Sequence, residues 1–326
     1  MSGIAVNHLS MRYKVPVREA GLQAALGSLF RRRYREVQAV QDISFSIEPG
    51  ELVGFIGPNG AGKTTTLKML SGILHPSGGT VRVQGFTPWS REVPFLRSIA
   101  LIRGSQPIGG PTELTVLDSL RFQQTIYDVS VLDFQKNLAE LTELLDLEQL
   151  LGRQVRALSL GERMRCGLAL SLIYRPRVLF LDEPTLGLDV MAVGMMRRFI
   201  ASYCRRTGAT VLLTSHYMVD VETLCNRIIL IDKGIIKYDG DLNGLTARLS
   251  PTKLLRVTIS DSHNHDWQSY GELVELNGAT AVLRLPREQV PGLTARLLAE
   301  LEVSDLSVEE PPLESVIDQI YREGVL

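Results

Sequence analysis

Eight residues constrain this chain more than any others: Gly57-Pro58-Asn59-Gly60-Ala61-Gly62-Lys63-Thr64, set between an apolar run at 52–56 and a helix-prone stretch at 65–70. Strand, glycine loop and helix in that order make the phosphate-cradling turn of a P-loop. The glycines let the backbone wrap so that successive amides point inward, and the following helix adds the partial positive charge of its N-terminus. Lys63 is then placed to reach the β and γ phosphates of a nucleoside triphosphate. The Thr64 hydroxyl is placed on the Mg²⁺ that bridges them, because a small hard cation takes oxygen ligands and keeps several waters. The predicted nucleotide contacts of this segment are Gly57, Pro58, Asn59, Gly60, Ala61, Gly62, Lys63, Thr64 and Thr65.

A triphosphate that is to be cleaved also needs a carboxylate for the metal and a group that orients the attacking water. Residues 177–181 form a short, nearly wholly apolar run that ends in Asp182-Glu183-Pro184, as a buried parallel strand delivering carboxylates at its C-terminal end should. Adjacent residues at a strand end point differently, so Asp182 is assigned to the metal and Glu183 to the water. A second such run, 209–214, ends at Ser215-His216.

At 326 residues the chain exceeds what one core usually fills, so a large and a small domain are expected. Lys+Arg 35 against Asp+Glu 36 leaves a net charge of -1, which supplies no global attraction to nucleic acid or anionic lipid, and no nucleic-acid partner is expected. Cys166, Cys204 and Cys225 are widely spaced and lack a CxxC pair, so they read as buried thiols of a reducing cytosol. The N-terminus does not open like an export signal, and no uncharged run approaches the length of a membrane span.

Alternation at 4–11 and 43–47 predicts antiparallel strands ahead of the P-loop. Between them, 16–36 reads as an insertion with a short helix, its Leu22, Leu26, Leu29 and Phe30 backed by Arg31, Arg32, Arg33 and Arg35; it is either a surface helix with a solvated basic tail or a lipid or partner contact. A further strand is expected at 80–83 and a loop at 103–111. Helical periodicity at 114–127, 134–145 and 160–174 predicts a mostly helical subdomain, and 227–231 with 234–238 a hairpin. Past about Asp241, strands at 254–259, 281–285 and 301–308 with helices near 293–298 and 313–321 predict a small α+β domain.

Leu158-Ser159-Leu160-Gly161-Glu162, lying between the P-loop and Asp182-Glu183 and opening a helix, completes a series that resembles the ATP-binding subunits of ABC transporters. The resemblance runs from about residue 4 to 243. It implies that Ser159 and Gly161 bind the γ-phosphate of ATP held by the other subunit, with Tyr13 stacking on adenine and Tyr34 as a weaker substitute. It places Gln106 at the Mg²⁺ site, Asp189 in the loop Gly187-Leu188-Asp189 that crosses the dimer interface, and His216 at the γ-phosphate. Catalysis is thereby assigned to Glu183, His216 and Lys63, and metal binding to Thr64, Gln106 and Asp182. The common signature reads Leu-Ser-Gly-Gly-Gln, so Leu160 and Glu162 depart from it and the last side chain gains a negative charge; taken alone, the pentapeptide reads as an ordinary capped helix start, with Ser159 as the cap and Glu162 three residues later.

The expected fold is thus α/β: a P-loop NTPase core of the ABC type, with an antiparallel β-subdomain and a helical subdomain, over 1–243. A C-terminal α+β accessory domain over 244–326 resembles that of some exporter-type members. ATP and Mg²⁺ are the implied cofactors. The implied partners are a second ATP-binding subunit, in a homodimer, and an integral membrane permease holding the chain at the cytoplasmic face of the membrane. The resemblance leans toward export. The alternative is a soluble ABC-type ATPase acting on a macromolecular machine.

Overall fold

Alternating apolar residues from Ile4 onward build the first sheet. In the computed structural model, which describes residues 3–16, 34–104, 112–242, 244–245, 252–260 and 266–323, β1 (Ile4–Pro16) pairs antiparallel with β2 (Tyr34–Ile47), from Ile4 opposite Ile47 out to Pro16 opposite Tyr34. Residues 34–36 are therefore strand rather than insertion, and Tyr13 sits within the pairing, opposite Val37. The helix expected between the two arms falls on 17–33, outside the described residues.

After β2 the chain enters a second sheet as β3 (Leu52–Ile56), a run with no polar side chain that is buried almost throughout. The glycine loop leads into α1 (Lys63–Leu70), and β4 (Gly78–Val83) returns to the free side of β1 to give the order β2-β1-β4. A short α2 (Val93–Ser98) delivers β5 (Ile99–Arg103).

Three helices follow: α3 (Val116–Tyr127), α4 (Val131–Leu145) and α5 (Leu160–Leu172). Each starts on a hydroxyl that accepts a backbone amide of the first turn, from Thr115, Ser130 and Ser159 respectively, which is why three separate helices form at these boundaries. The parallel sheet then resumes with β6 (Val178–Asp182), α6 (Val190–Thr207), β7 (Thr210–Thr214), α7 (Met218–Leu224) and β8 (Arg227–Asp232). Its edge is β9 (Ile235–Asp241), reached through Lys233 and Gly234, which both take the positive φ that a two-residue hairpin turn requires.

The order is β5-β6-β7-β3-β8-β9, with β5 through β8 parallel. Parallel pairing aligns the ends of β3, β6 and β7, so the loops after Ile56, Asp182 and Thr214 open on one rim, where ligands of open α/β sheets bind. Phe55, Phe180, Leu212 and Ile229 share one core with Ile4, Leu9 and Ile47 of the first sheet.

The chain divides after Asp239. In the second unit, β10 (Thr252–Ile259), β11 (Glu272–Asn277), β12 (Thr280–Pro286), α8 (Val290–Glu300), β13 (Val303–Glu309) and α9 (Leu313–Glu323) form an antiparallel sheet of order β11-β12-β10-β13 with two helices. Leu255, Val257, Leu283 and Leu285 make its core with Val290 and Leu297 of α8. Strand β11 escapes periodicity because it is a charged edge strand, largely exposed on both faces.

Candidate nucleotide site

The loop after β3 has the shape its glycines predict. A Cβ at Gly57 would come within 2.1 Å of the Ile231 carbonyl oxygen, and Gly62 holds φ +110°, with a Cβ there 2.6 Å from the Ala39 carbonyl oxygen. Neither position accepts a side chain. Lys63 is buried, its ammonium donating to the carbonyls of Gly57 (2.5 Å) and Pro58 (3.1 Å). Burial pushes its pKa down, against the pull of Glu183 and Asp182, so the fold holds a desolvated cation where phosphate oxygens are expected.

Across the rim, the Asp182 carboxylate accepts from Thr64 Oγ1 at 3.2 Å and from Thr214 Oγ1 at 3.0 Å. Arg103 Nε stands 4.0 Å from its other oxygen and has no hydrogen-bond partner among the described residues. Glu183 has φ 53°, a left-handed conformation that is strained for any residue with a Cβ, and its amide donates to Thr214. Its Oε1 lies 2.7 Å from His216 Nε2. Lys63, Thr64, Asp182, Glu183 and His216, predicted from separate segments, thus meet at one place. Thr214 and Arg103, which sequence reasoning missed, belong to the same cluster; no motif marks them, because their role follows from strand register alone.

The other predicted residues lie elsewhere. Tyr13 is half-buried against the main core, and Tyr34 is exposed at the far end of β2. Gln106 lies outside the described residues. Asp189 caps α6, its carboxylate accepting the amide of Ala192 at 2.8 Å. Ser159 caps α5, and Glu162 does not project as a free charge: it accepts the Ser159 amide at 2.8 Å and pairs with Arg153 at 2.7 Å. That capping box, and the Arg153 guanidinium, hold its carboxyl below the usual range. Among the described residues no hydrogen bond or ion pair joins Ser159 or Gly161 to the phosphate cluster.

Residues 40–186 match a sequence family described as ABC transporter, and 251–309 one described as EvrA-like ABC transporter, C-terminal domain. The ABC transporter ATP-binding protein NatA of Bacillus subtilis is 33% identical over 216 residues, covering 66% of this chain and 87% of NatA. The chain belongs to the ABC transporter ATP-binding proteins. Members of this family bind and hydrolyse ATP. The linearmycin resistance ATP-binding protein LnrL of B. subtilis is 29% identical over 294 residues, 87% of this chain and 94% of LnrL, so that likeness extends into the second unit.

Among solved structures, an ATP-binding subunit of an ABC transporter superposes with a TM-score of 0.61 at 24% identity, over 75% of this chain and 92% of that one. A dimeric ATP-binding cassette captured after hydrolysis with ADP and Pi gives 0.58 at 20% identity, over 73% and 98%. Both likenesses establish the fold of the ABC transporter ATP-binding proteins.

Proposed function

We propose that two copies of this chain close around two ATP molecules, each held by the glycine loop of one protomer and by Ser159 and Gly161 of the partner subunit, and that hydrolysis reopens them to drive a separate membrane permease. The observation that carries this reading is the 2.7 Å contact of Glu183 with His216, beside Lys63, Thr64 and Asp182. Lys63 exchanges its two loop carbonyls for the β and γ phosphates. Glu183 orients the attacking water and accepts its proton. His216 holds Glu183 and reaches toward the γ-phosphate, positioning rather than acting as the primary base.

The donor set fits Mg²⁺. Thr64 Oγ1 and the Asp182 carboxylate offer hard oxygens 3.2 Å apart, and among the described residues no group of three or more His, Cys, Asp or Glu could hold a metal unaided. Thr64 and Asp182 would hold Mg²⁺, whose remaining oxygen ligands would be water and phosphate. When bound it neutralises charge on the transferring phosphoryl group. Gln106 is assigned to the same site, and Tyr13 to the adenine face. Asp189 is assigned to the crossing of the two protomers, beside the exposed Val190 and Met191.

No described helix is long and apolar enough to cross a membrane; the transport path is assigned to the separate permease. A groove of about 800 Å³, lined by Leu96, Leu101, Tyr127, Met164, Leu168 and Leu186, lies between the parallel sheet and the three-helix region and suits a permease helix. This docking places the chain peripherally on the cytoplasmic face. Export is the proposed direction, supported by the names of relatives: linearmycin resistance, doxorubicin resistance and Nod factor export ATP-binding proteins.

Size-exclusion chromatography with light scattering on the Glu183→Gln variant tests the scheme. With ATP and Mg²⁺ it should run as a dimer, and the additional Lys63→Ala change should return it to a monomer. A monomer under all nucleotide conditions would remove the sandwich.

A further inference from the structure

One buried carboxylate outside the phosphate cluster ties its two catalytic loops together. Asp220, on α7, is 1% exposed. Its Oδ2 accepts from Thr185 Oγ1 at 2.6 Å and from Ser215 Oγ at 2.9 Å, and its Oδ1 accepts from Arg197 Nε of α6 at 2.6 Å. Thr185 and Ser215 are themselves 2% and 1% exposed. Thr185 is two residues beyond Glu183, and Ser215 immediately precedes His216. Ser215 Oγ also accepts the Tyr217 amide at 3.0 Å, which fixes the backbone on the far side of His216.

We infer that Asp220 is a positioning residue for hydrolysis, holding Glu183 and His216 in one mutual geometry without touching the nucleotide. A buried charge is tolerated only when its lone pairs are satisfied, and here hydroxyl and guanidinium donors do so with charge-assisted bonds. Glu183 needs such support: its left-handed backbone persists only if the surroundings over-determine it. Thr214 grips the Glu183 amide from one side. Asp220 grips the same loop through Thr185 from the other, and through Ser215 it binds the loop of His216 to it. Arg197 adds α6, the helix capped by Asp189, so the segment assigned to the protomer crossing connects to the same carboxylate.

Asparagine is an imperfect replacement: with its oxygen on Arg197, its NH₂ reaches the two hydroxyls only if both turn round to accept, and the charge that strengthens all three bonds is lost. The proposal rests on hydrolysis by Glu183, not on the permease or the direction of transport.

The test compares Asp220→Asn, Ser215→Ala, Thr185→Val and the double Thr185→Val/Ser215→Ala in the full chain, by steady-state kinetics, ATP affinity and ATP-driven dimer closure in the Glu183→Gln background. Asp220→Asn should lower kcat roughly 10- to 100-fold, as misplacement of reacting groups does, with KM and ATP affinity changed less than about threefold and closure retained. Each single hydroxyl variant should lose less, and the double variant less than the product of the two, because both act through one carboxylate. Unchanged kcat in Ser215→Ala and Thr185→Val would overturn the inference. So would parallel losses of affinity, closure and melting temperature with kcat per folded protein intact, which is a packing role. Full turnover in Glu183→Gln would instead sink the catalytic reading beneath it.

Discussion

In the first unit the candidate site side chains gather at the ends of parallel strands and converge, whereas the second unit is an antiparallel sheet that delivers no comparable set among the described residues. Both units bury a well-packed core. The difference lies in what holds each sequence in place. Phosphate chemistry demands particular atoms at particular strand ends, so the first unit carries glycines that no other residue can replace, a buried lysine and a strained glutamate. The second needs only apolar residues at period two and a covering helix, which many sequences supply. Motifs are therefore legible where chemistry acts, and folds without motifs are legible only as patterns.

The sharpest way to break that contrast is Glu183→Gln, which should lower kcat by about 10²- to 10⁴-fold, the range for loss of a positioned base, while ATP affinity measured by calorimetry stays. Retained turnover would show that the strand-end motif is ornamental. Next, Leu255→Ala in the buried sheet of the second unit should cost about 2–5 kcal/mol of that unit's stability. Urea unfolding followed by Trp267 fluorescence reads it out. ATP affinity that fell with it would mean that the two units do not obey separate rules.

Lys63→Ala should weaken Mg·ATP binding roughly 10- to 100-fold, from the loss of charge-assisted hydrogen bonds. The same change should leave the nucleotide-free melting temperature unchanged or higher. Burial lowers the Lys63 pKa, so its charged form costs stability at neutral pH and that cost is relieved as pH rises through the lowered value. A large fall in melting temperature without nucleotide would recast Lys63 as a structural residue. The smallest effect should come from Glu162→Gln. Its carboxyl is held low by the Ser159 amide and Arg153, so the cap's contribution is present above the ordinary glutamate range and fades as pH falls through the lowered value. Thermal melts should separate variant from parent at neutral pH and converge in acid; a gap that widened in acid would contradict the cap geometry.

Particular residues show where reading the chain succeeds and where it stops. The glycine loop, Asp182-Glu183 and Ser215-His216 were legible because each pairs a chemical requirement with an apolar strand running into it. Tyr13 was placed by resemblance, and its pairing with Val37 belongs to a ladder that continues through residues 14–16 and 34–36. Glu162 read both as an added charge and as part of a capped helix start, and the structure spends it on that cap. Thr214, Arg103 and Asp220 were invisible, since a threonine at a strand end, an arginine before a loop and an aspartate in a short helix match no pattern.

Sequence alone determined that a glycine loop follows one apolar strand and a carboxylate pair ends another, because the phosphate chemistry proposed for them admits few residue types at those places. Only the tertiary structure decided which unmarked side chains come together around them: the Thr64 and Thr214 hydroxyls meet on Asp182, and Thr185, Ser215 and Arg197 meet on Asp220. Local pattern records what each segment must be, while the packing of strands and helices sets which distant residues come within hydrogen-bonding distance, and no single segment encodes that.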